Sequence, residues 1–422
     1  MTPITDDRIM GAMQIDTMRA IDYWVGIPLT FLVTLAVKAW EWLFPRPPQP
    51  PRHVLFIELS EMGSTILVDP VLRHLQRDHG LVPFFLIFAR NKASLDLLRP
   101  IPEENIRTIR EDGLFHLAWD TLTFLIWARR RRIDTVVDLE LFSRFTALLT
   151  GLSGARRRVG FHAFTNEGLY RGDLLTHKVA YNPHIHITKN FFALAHAVTA
   201  TQPETPYAKI VVPDSALALP QAVVTPAEEA AMRTRIQEWA PTYDPAQHRL
   251  VLFNANASDL LPLRRWPQAN YIALARLILE RHPRVFILLT GAPSERDGLD
   301  AIPAALRQAP GGDRCANFAG ATTLAELPAL YRQAAFMLSN DSGPAHFAAV
   351  TALPTYVFFG PETPRLYGSL GPTTPIYAGL ACSPCVSAAN HRKTPCDDNV
   401  CLRVITPEQV YEILRPALLA LD

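Results

Sequence analysis

Residues His53 to Leu75 read HVLFIELSEMGSTILVDPVLRHL, and the order of residue types in that stretch decides the architecture. His53 to Leu59 is a short apolar run of the kind that fills a parallel strand buried on both faces. It enters the turn Ser60-Glu61-Met62-Gly63-Ser64, and from Ile66 to about His79 the residues Leu67, Val71, Leu72 and Leu75 recur at helical spacing. Working outward, Val82 to Phe88 predicts the next strand, Leu114 to Arg132 a helix, and Thr135 to Leu139 (TVVDL) another strand. Strands alternating with helices are the pattern of a doubly wound α/β domain. The pattern restarts near residue 208. Leu250 to Asn254, Val285 to Thr290, Phe336 to Ser339 and Thr355 to Phe359 predict strands, with helices at Gln268 to Arg281 and Ala345 to Ala352. The expectation is therefore two Rossmann-like α/β halves facing a cleft, where such folds place ligands.

Length and composition agree. A chain of 422 residues is too long for one ordinary core, and 49% hydrophobic with 19% charged residues suits globular domains with buried sheets. Lys and Arg total 41 against 40 Asp and Glu, so net charge gives no argument for nucleic acid. Residues 1–50 stand apart: Tyr23 to Val37 carries no charge, and Tyr23, Trp24, Trp40 and Trp42 are placed like interfacial anchors. The segment is expected to associate with a membrane, spanning it or lying in its surface. If it spans, Arg46 and Arg52 favour a cytoplasmic C-terminal side. PRPPQPPR (45–52) is a stiff spacer. The domains are expected at 51–205 and 206–422, with a hinge at Pro203 to Pro206.

Two loops in the C-terminal half carry candidate anion chemistry. In Ser339-Asn340-Asp341-Ser342-Gly343-Pro344-Ala345-His346 a strand ends, a Gly-Pro pair turns the chain and a helix begins. Pro344 suits a first helical turn, Ser342 or Asp341 can cap it, and amides at a helix start can receive phosphate oxygens. Gly343 permits close approach, and His346 can donate to a phosphate. The alternative is an ordinary capped helix with a buried histidine. The second loop follows the strand at Asn254, where Arg264 and Arg265 precede a helix and can hold a diphosphate by charge-assisted hydrogen bonds.

The chain resembles the glycosyltransferase family 9 proteins, which include the heptosyltransferases of lipopolysaccharide core assembly. The resemblance rests on residues 53–75, on IDTVVDLELFSRFTALLTGLSGARRRVGF (133–161), and on RRWPQANYIALA (264–275). It extends through LLTGAPSERD (288–297) and NDSGPAHFAAVTALPTYVFFGPETPRLYGSLGP (340–372). It implies a GT-B fold and inverting transfer of a sugar from a nucleotide-diphosphate donor, with no required metal. It also implies donor phosphates at Ser342, Gly343 and His346, with Arg264 matching a family lysine.

One position departs from the family. The first loop of the family resembles S-x-x-G-D, whose aspartate is the proposed base, yet Gly63 is followed here by Ser64. Inversion needs a group to take the acceptor's proton, and a serine hydroxyl does not do so unaided. Glu61 is the leading substitute and Glu58 the second.

Cys382, Cys385, Cys396 and Cys401 have spacing that fits a structural zinc site, with His391 as a spare ligand. Arg156 and Arg158, near Gly154 and Gly160, are candidate acceptor-side residues together with Gly63. The expected protein is a membrane-associated transferase acting on a lipid-linked or envelope saccharide in the cytoplasm. The alternative is a nucleotide-sugar-binding protein that has lost its base.

Overall fold

The structure, a computed structural model, describes residues 15–45, 47, 49–165, 168–257, 261–387 and 393–422. They form two compact units, one holding residues up to 95 and 99–217, the other 96–98 and 218 onward. Each is built around its own parallel sheet.

The first unit runs α1 (Ile15–Trp24), α2 (Gly26–Leu43), β1 (His53–Ile57), α3 (Met62–His79), β2 (Val82–Phe88) and β3 (Ile106–Ile109). It continues α4 (Leu114–Arg130), β4 (Thr135–Asp138), α5 (Arg144–Leu152), β5 (Arg157–Phe161), β6 (His177–Val179) and α6 (Ile187–Thr199). The strand order is β3-β2-β1-β4-β5-β6, with every neighbouring pair parallel. Leu55, Ile57, Leu86 and Val136 form a core with Phe124 and Ala128 of α4 and Leu149 of α5. On α3, the Thr188 hydroxyl of α6 donates to the Leu67 carbonyl at 2.9 Å. Helix α3 starts earlier than its apolar period suggests, because Gly63, Ser64 and Thr65 of its first turn are small or polar. It ends at Gly80 in the left-handed region, whose N–H caps the Gln76 and Leu75 carbonyls.

The apolar N-terminal run is broken at Val25, and α2 is the one helix among the described residues long and apolar enough to cross a membrane. It is nevertheless tied along the first unit. The Asp22 carboxylate accepts from the backbone N–H of Arg144 at 2.8 Å and of Phe145 at 3.1 Å, capping α5, and pairs with the Arg144 guanidinium at 3.0 Å. Glu41 pairs with Arg158 at 2.6 Å, and Lys38 with Asp173 at 3.1 Å. Thr34 accepts from the Asp173 N–H at 3.0 Å. Gly172 (φ +75) lies so close to α2 that a Cβ would stand 2.6 Å from the Thr34 hydroxyl and 3.0 Å from the Thr30 carbonyl oxygen. Only glycine fits there.

The second unit contains α7 (Pro226–Trp239), β7 (Arg249–Asn254), α8 (Gln268–Arg281), β8 (Val285–Leu289), α9 (Arg296–Leu299), α10 (Ala301–Leu306) and β9 (Cys315–Asn317). It continues α11 (Leu327–Tyr331), β10 (Ala334–Asn340), α12 (Gly343–Ala348), β11 (Thr355–Phe359), α13 (Pro364–Tyr367), β12 (Thr373–Tyr377), α14 (Val400–Arg403) and α15 (Pro407–Leu419). Its parallel sheet has the order β12-β11-β10-β7-β8-β9. Trp266 stacks on Phe358 with ring centroids 4.5 Å apart and donates from its indole N–H to the Ile405 carbonyl at 2.9 Å. Both sheets thus repeat one doubly wound order, and each has one point where the order reverses: between β1 and β4, and between β7 and β10.

Candidate active site

At the first reversal point, the carboxyl ends of β1 and β4 lie side by side, with Ile57 opposite Asp138. The chain leaving β1 passes through Glu58, Leu59, Ser60 and Glu61 before α3 begins. Glu58 is buried, and its carboxylate accepts from the Glu61 N–H at 3.3 Å. Glu61 occupies the N-cap position of α3 in an extended conformation, half-buried, and accepts from the Ser64 hydroxyl at 3.5 Å. Gly63 sits half-buried in the same first turn.

The loop is held by groups to which the sequence reading assigned no role. Glu140, just past β4, accepts through one carboxylate oxygen from the Leu59 N–H at 2.8 Å, the Ser60 N–H at 2.9 Å and the Ser60 hydroxyl at 2.7 Å. Its other oxygen is buried without a hydrogen-bond partner. Asn91 donates to the Leu59 carbonyl at 2.7 Å. Asp138 is fully buried, paired with Arg171, and accepts from the Thr146 hydroxyl at 3.2 Å and the Glu140 N–H at 3.1 Å. Burial pushes both acids up, Glu140 to about 7, with Ser60 drawing it down and Asp138 adding to the rise. Two acidic residues at the end of a strand next to β1 were the available signal, since ligands of such sheets gather at those strand ends.

At the second reversal point, β10 delivers Asn340 and Asp341 beside the end of β7. Asn340 accepts from the Trp266 N–H at 2.9 Å and donates to the Asn256 carbonyl at 3.2 Å, fixing the loop after β7 to the loop after β10. Ser342 takes the N-cap position of α12, but its hydroxyl donates to the Asn340 carbonyl at 3.2 Å rather than capping the helix. Asp341 does not cap either. It faces Arg264, whose guanidinium lies 3.7 Å from the carboxylate and donates to the Asp341 carbonyl at 3.3 Å. The Nε of Arg264 is buried without a hydrogen-bond partner. Ser342, Gly343 and Pro344 are half-exposed, whereas His346 is buried one turn on.

Glu362, missed by sequence reasoning, joins this cluster. Burial, reinforced by Asp341 and opposed by Arg264, pushes its carboxyl well above the usual range. Burial also raises Asp341, against the pull of Arg264. Both acids are thereby biased toward their neutral forms, which leaves the arginine's charge less fully cancelled.

The sequence pattern of glycosyltransferase family 9 (heptosyltransferase) matches residues 129–394, more than half of the chain. The chain belongs to glycosyltransferase family 9. Among curated proteins it is similar to lipooligosaccharide heptosyltransferase 2 of Haemophilus influenzae, 28% identical over 149 residues, which are 35% of this chain and 40% of that protein. Lipopolysaccharide heptosyltransferase 2 of Escherichia coli is 31% identical over 103 residues, 24% of this chain and 29% of that one. The chain thus spans less than half the length of either relative. Lipopolysaccharide core heptosyltransferase OpsX of Haemophilus influenzae is 22% identical over 78% of this chain and 85% of its own. Among solved structures, E. coli ADP-heptose lps heptosyltransferase II superposes with a TM-score of 0.63 at 21% identity, covering 87% of this chain and 99% of that one. That likeness shows the shared GT-B fold.

Within this family member, several expected site residues are bound into the structure. Asn254 donates to the Thr290 carbonyl at 3.0 Å, bridging the ends of β7 and β8. Arg265 wraps the Ala257 carbonyl, with Nε at 2.9 Å. Arg158, expected on the acceptor side, is engaged within the first unit. Its buried guanidinium is spent on the Leu174 and Ala155 carbonyls and on Glu41. Arg156 is exposed and bonded to the Pro47 carbonyl at 3.3 Å. It precedes β5, whose Arg157 pairs with Thr135 at the start of β4, three residues before Asp138 and hence about 10 Å from the strand ends that carry the loop.

The zinc expectation is not supported. Among the described residues no group of three or more His, Cys, Asp or Glu side chains could hold a metal ion. Cys401 is turned into the core of the second unit, Cys382 is exposed, and the Cys396 thiol donates to the Asp398 carbonyl at 3.0 Å. Burial and the other three thiols push Cys401 above the usual thiol range. His391 and Ser258 lie outside the described residues.

Proposed function

We propose that this chain is an inverting glycosyltransferase that moves heptose or a related sugar from a nucleoside-diphosphate donor to a lipid-linked or envelope saccharide at the cytoplasmic face of a membrane. The observation that carries the reading is Arg264, held over Asp341 at the half-exposed start of α12, at the reversal point of the second sheet. A fixed guanidinium there meets the charge that develops on a departing diphosphate. Ser342, Gly343 and Pro344 border the phosphates, and the names of the relatives make ADP-heptose the first donor to try.

The acceptor hydroxyl attacks the anomeric carbon from the face opposite the diphosphate. The carbon–oxygen bond to the diphosphate breaks, its electron pair stays with the phosphate oxygen, and the acceptor's proton passes to Glu61. Glu61 suits that role better than Glu58, since Glu58 is buried and turned onto the Glu61 amide. Glu140 is a positioning residue, holding the loop through Leu59 and Ser60. Ser64 in the place of the family's aspartate favours a second reading, a binder of nucleotide sugars that does not transfer them.

Release of ADP from ADP-heptose, with a heptose-deficient lipopolysaccharide core as acceptor, separates the two. The expected result is release that Glu61→Gln lowers by about 10²-fold or more in kcat, and that Arg264→Ala lowers through both donor binding and rate. Donor binding in calorimetry without release in any acceptor's presence would favour the binder.

A further inference from the structure

The first unit exposes two apolar helical faces that its own packing leaves uncovered. On α2 the exposed residues include Leu29, Leu32 and Leu35, with Trp24 (75% exposed) and Val25 before one end and Trp42 (81%) at the other. On α4, Phe115 (77% exposed), Trp119, Leu122 and Ile126 are all exposed. These follow one another at four-, three- and four-residue intervals, a single stripe along the helix. The polar face of α2 is spoken for by Asp173, Arg158 and Gly172, as described above, so its apolar face is the one turned away from the unit.

The two stripes belong to one side of the first unit. Helices α4 and α5 cover the same face of the sheet, sharing the core of Leu55, Phe84 and Val136. Helices α1 and α2 lie over α5, whose residues Thr146 to Gly151 are all buried. Met18 of α1, Leu117 of α4 and Phe145 of α5 pack against that same core. An outward layer of α4, α1 and α2 results, with aromatic residues on both flanks.

Charge selects the occupant. Asp22, Glu41 and Asp120, the acidic side chains described on these three helices, are each paired with an arginine. At the C-terminal end of α4, by contrast, Arg129, Arg130, Arg131, Arg132 and, before β5, Arg156 are exposed, and none is ion-paired with a carboxylate among the described residues. The Arg129 guanidinium donates to the Leu152 carbonyl, which places that basic end against the end of α5. An apolar face with tryptophans at its edges and uncompensated arginines at one end matches a bilayer surface bearing anionic headgroups.

We propose that α2 does not span the membrane but lies in its surface, and that α4 enters the same surface beside it, with Arg129 to Arg132 and Arg156 reading anionic lipid. Spanning would require α2 to leave the Lys38–Asp173, Glu41–Arg158 and Gly172 contacts that bind it along the unit. The proposal deepens the membrane placement in the function proposed above. Its test uses no donor or acceptor, so it can fail while the transferase reading stands.

The full chain is sedimented with phosphatidylcholine vesicles containing or lacking phosphatidylglycerol. Binding is expected to require the anionic lipid, to fall with salt, and to weaken at least tenfold in Phe115→Glu/Trp119→Glu. Loss of roughly fivefold per arginine is expected in Arg130→Glu/Arg131→Glu. Both pairs are exposed, and an unchanged circular dichroism melt confirms their fold. Protein inserted in vesicles with its globular units outside is then digested: an N-terminal tag is expected to be cut with them. A protected tag would establish a spanning helix and overturn the proposal. So would vesicle binding unchanged by both α4 pairs, or a dimer in sedimentation velocity that the Phe115/Trp119 pair abolishes while vesicle binding persists.

Discussion

Replacing Glu140 by glutamine tests the buried acid that organises the loop after β1. In the folded chain its carboxyl is 2% exposed and held up to about 7, against an ordinary value of 4.5. Between those values the folded state binds a proton that the unfolded chain has released, so unfolding free energy falls as pH rises through this window and levels off above it. At about 1.4 kcal/mol per pH unit, the difference is on the order of 3 kcal/mol between pH 4.5 and 8. Glutamine keeps a carbonyl to accept from the Leu59 and Ser60 amides but has no proton to lose. Urea unfolding of parent and Glu140→Gln, followed at pH 5 and pH 8, reads this group together with its effect on Asp138, whose charge adds to the rise. The parent is expected to lose more stability than the variant over that interval. Parallel curves would refute the argument that burial holds a proton on Glu140.

Gly172→Ala should cost about 1–3 kcal/mol, since its Cβ would strike the Thr34 hydroxyl and Thr30 backbone; limited proteolysis is expected to cut near α2 sooner than in the parent. Trp266→Ala should cost roughly 3–5 kcal/mol in thermal or urea unfolding of the second unit, through lost stacking on Phe358 and the unmade bond to Ile405. Chelator treatment should leave the melting temperature unchanged, because Cys382, Cys385, Cys396 and Cys401 are not arranged as a metal set; a drop, with zinc released, would reverse that assignment.

The strands and helices with strong periods were legible: Val82–Phe88, Gln268–Arg281 and Thr355–Phe359 lie at the bounds the sequence predicts. The edge strands were not. Ile106–Ile109 and His177–Val179 are three or four residues long and carry a charged residue each, so no apolar run announces them. In the two candidate loops, the sequence shows the residues but not the ties between them and their neighbours. Glu140 lies 81 residues from Leu59, and Asn340 lies 74 from Trp266. Which polar side chains are consumed in such long-range bonds is a property of the packed sheet. That is why the bonds of Arg158 to the Leu174 and Ala155 carbonyls could not be read from the sequence, and why Glu140 went unassigned.

Three carboxylates crowd the turn after β1, and their environments set different tasks. Glu58 and Glu140 are buried and accept from loop amides, whereas Glu61 is half-exposed and accepts from the Ser64 hydroxyl at 3.5 Å. Of the three, Glu61 is the one that solvent reaches. Restoring the family's aspartate by Ser64→Asp would place a second negative charge beside it, so the single variant is expected to gain nothing. In a Glu61→Gln background the clash disappears, because glutamine can donate to the new aspartate. The double variant is then expected to recover at least about tenfold of the activity that Glu61→Gln loses, part of the 10²–10⁴ that a positioned base supplies. Activity in the double variant no higher than in Glu61→Gln alone would mean that the proton leaves by another residue, and that this turn serves only to shape the acceptor's site.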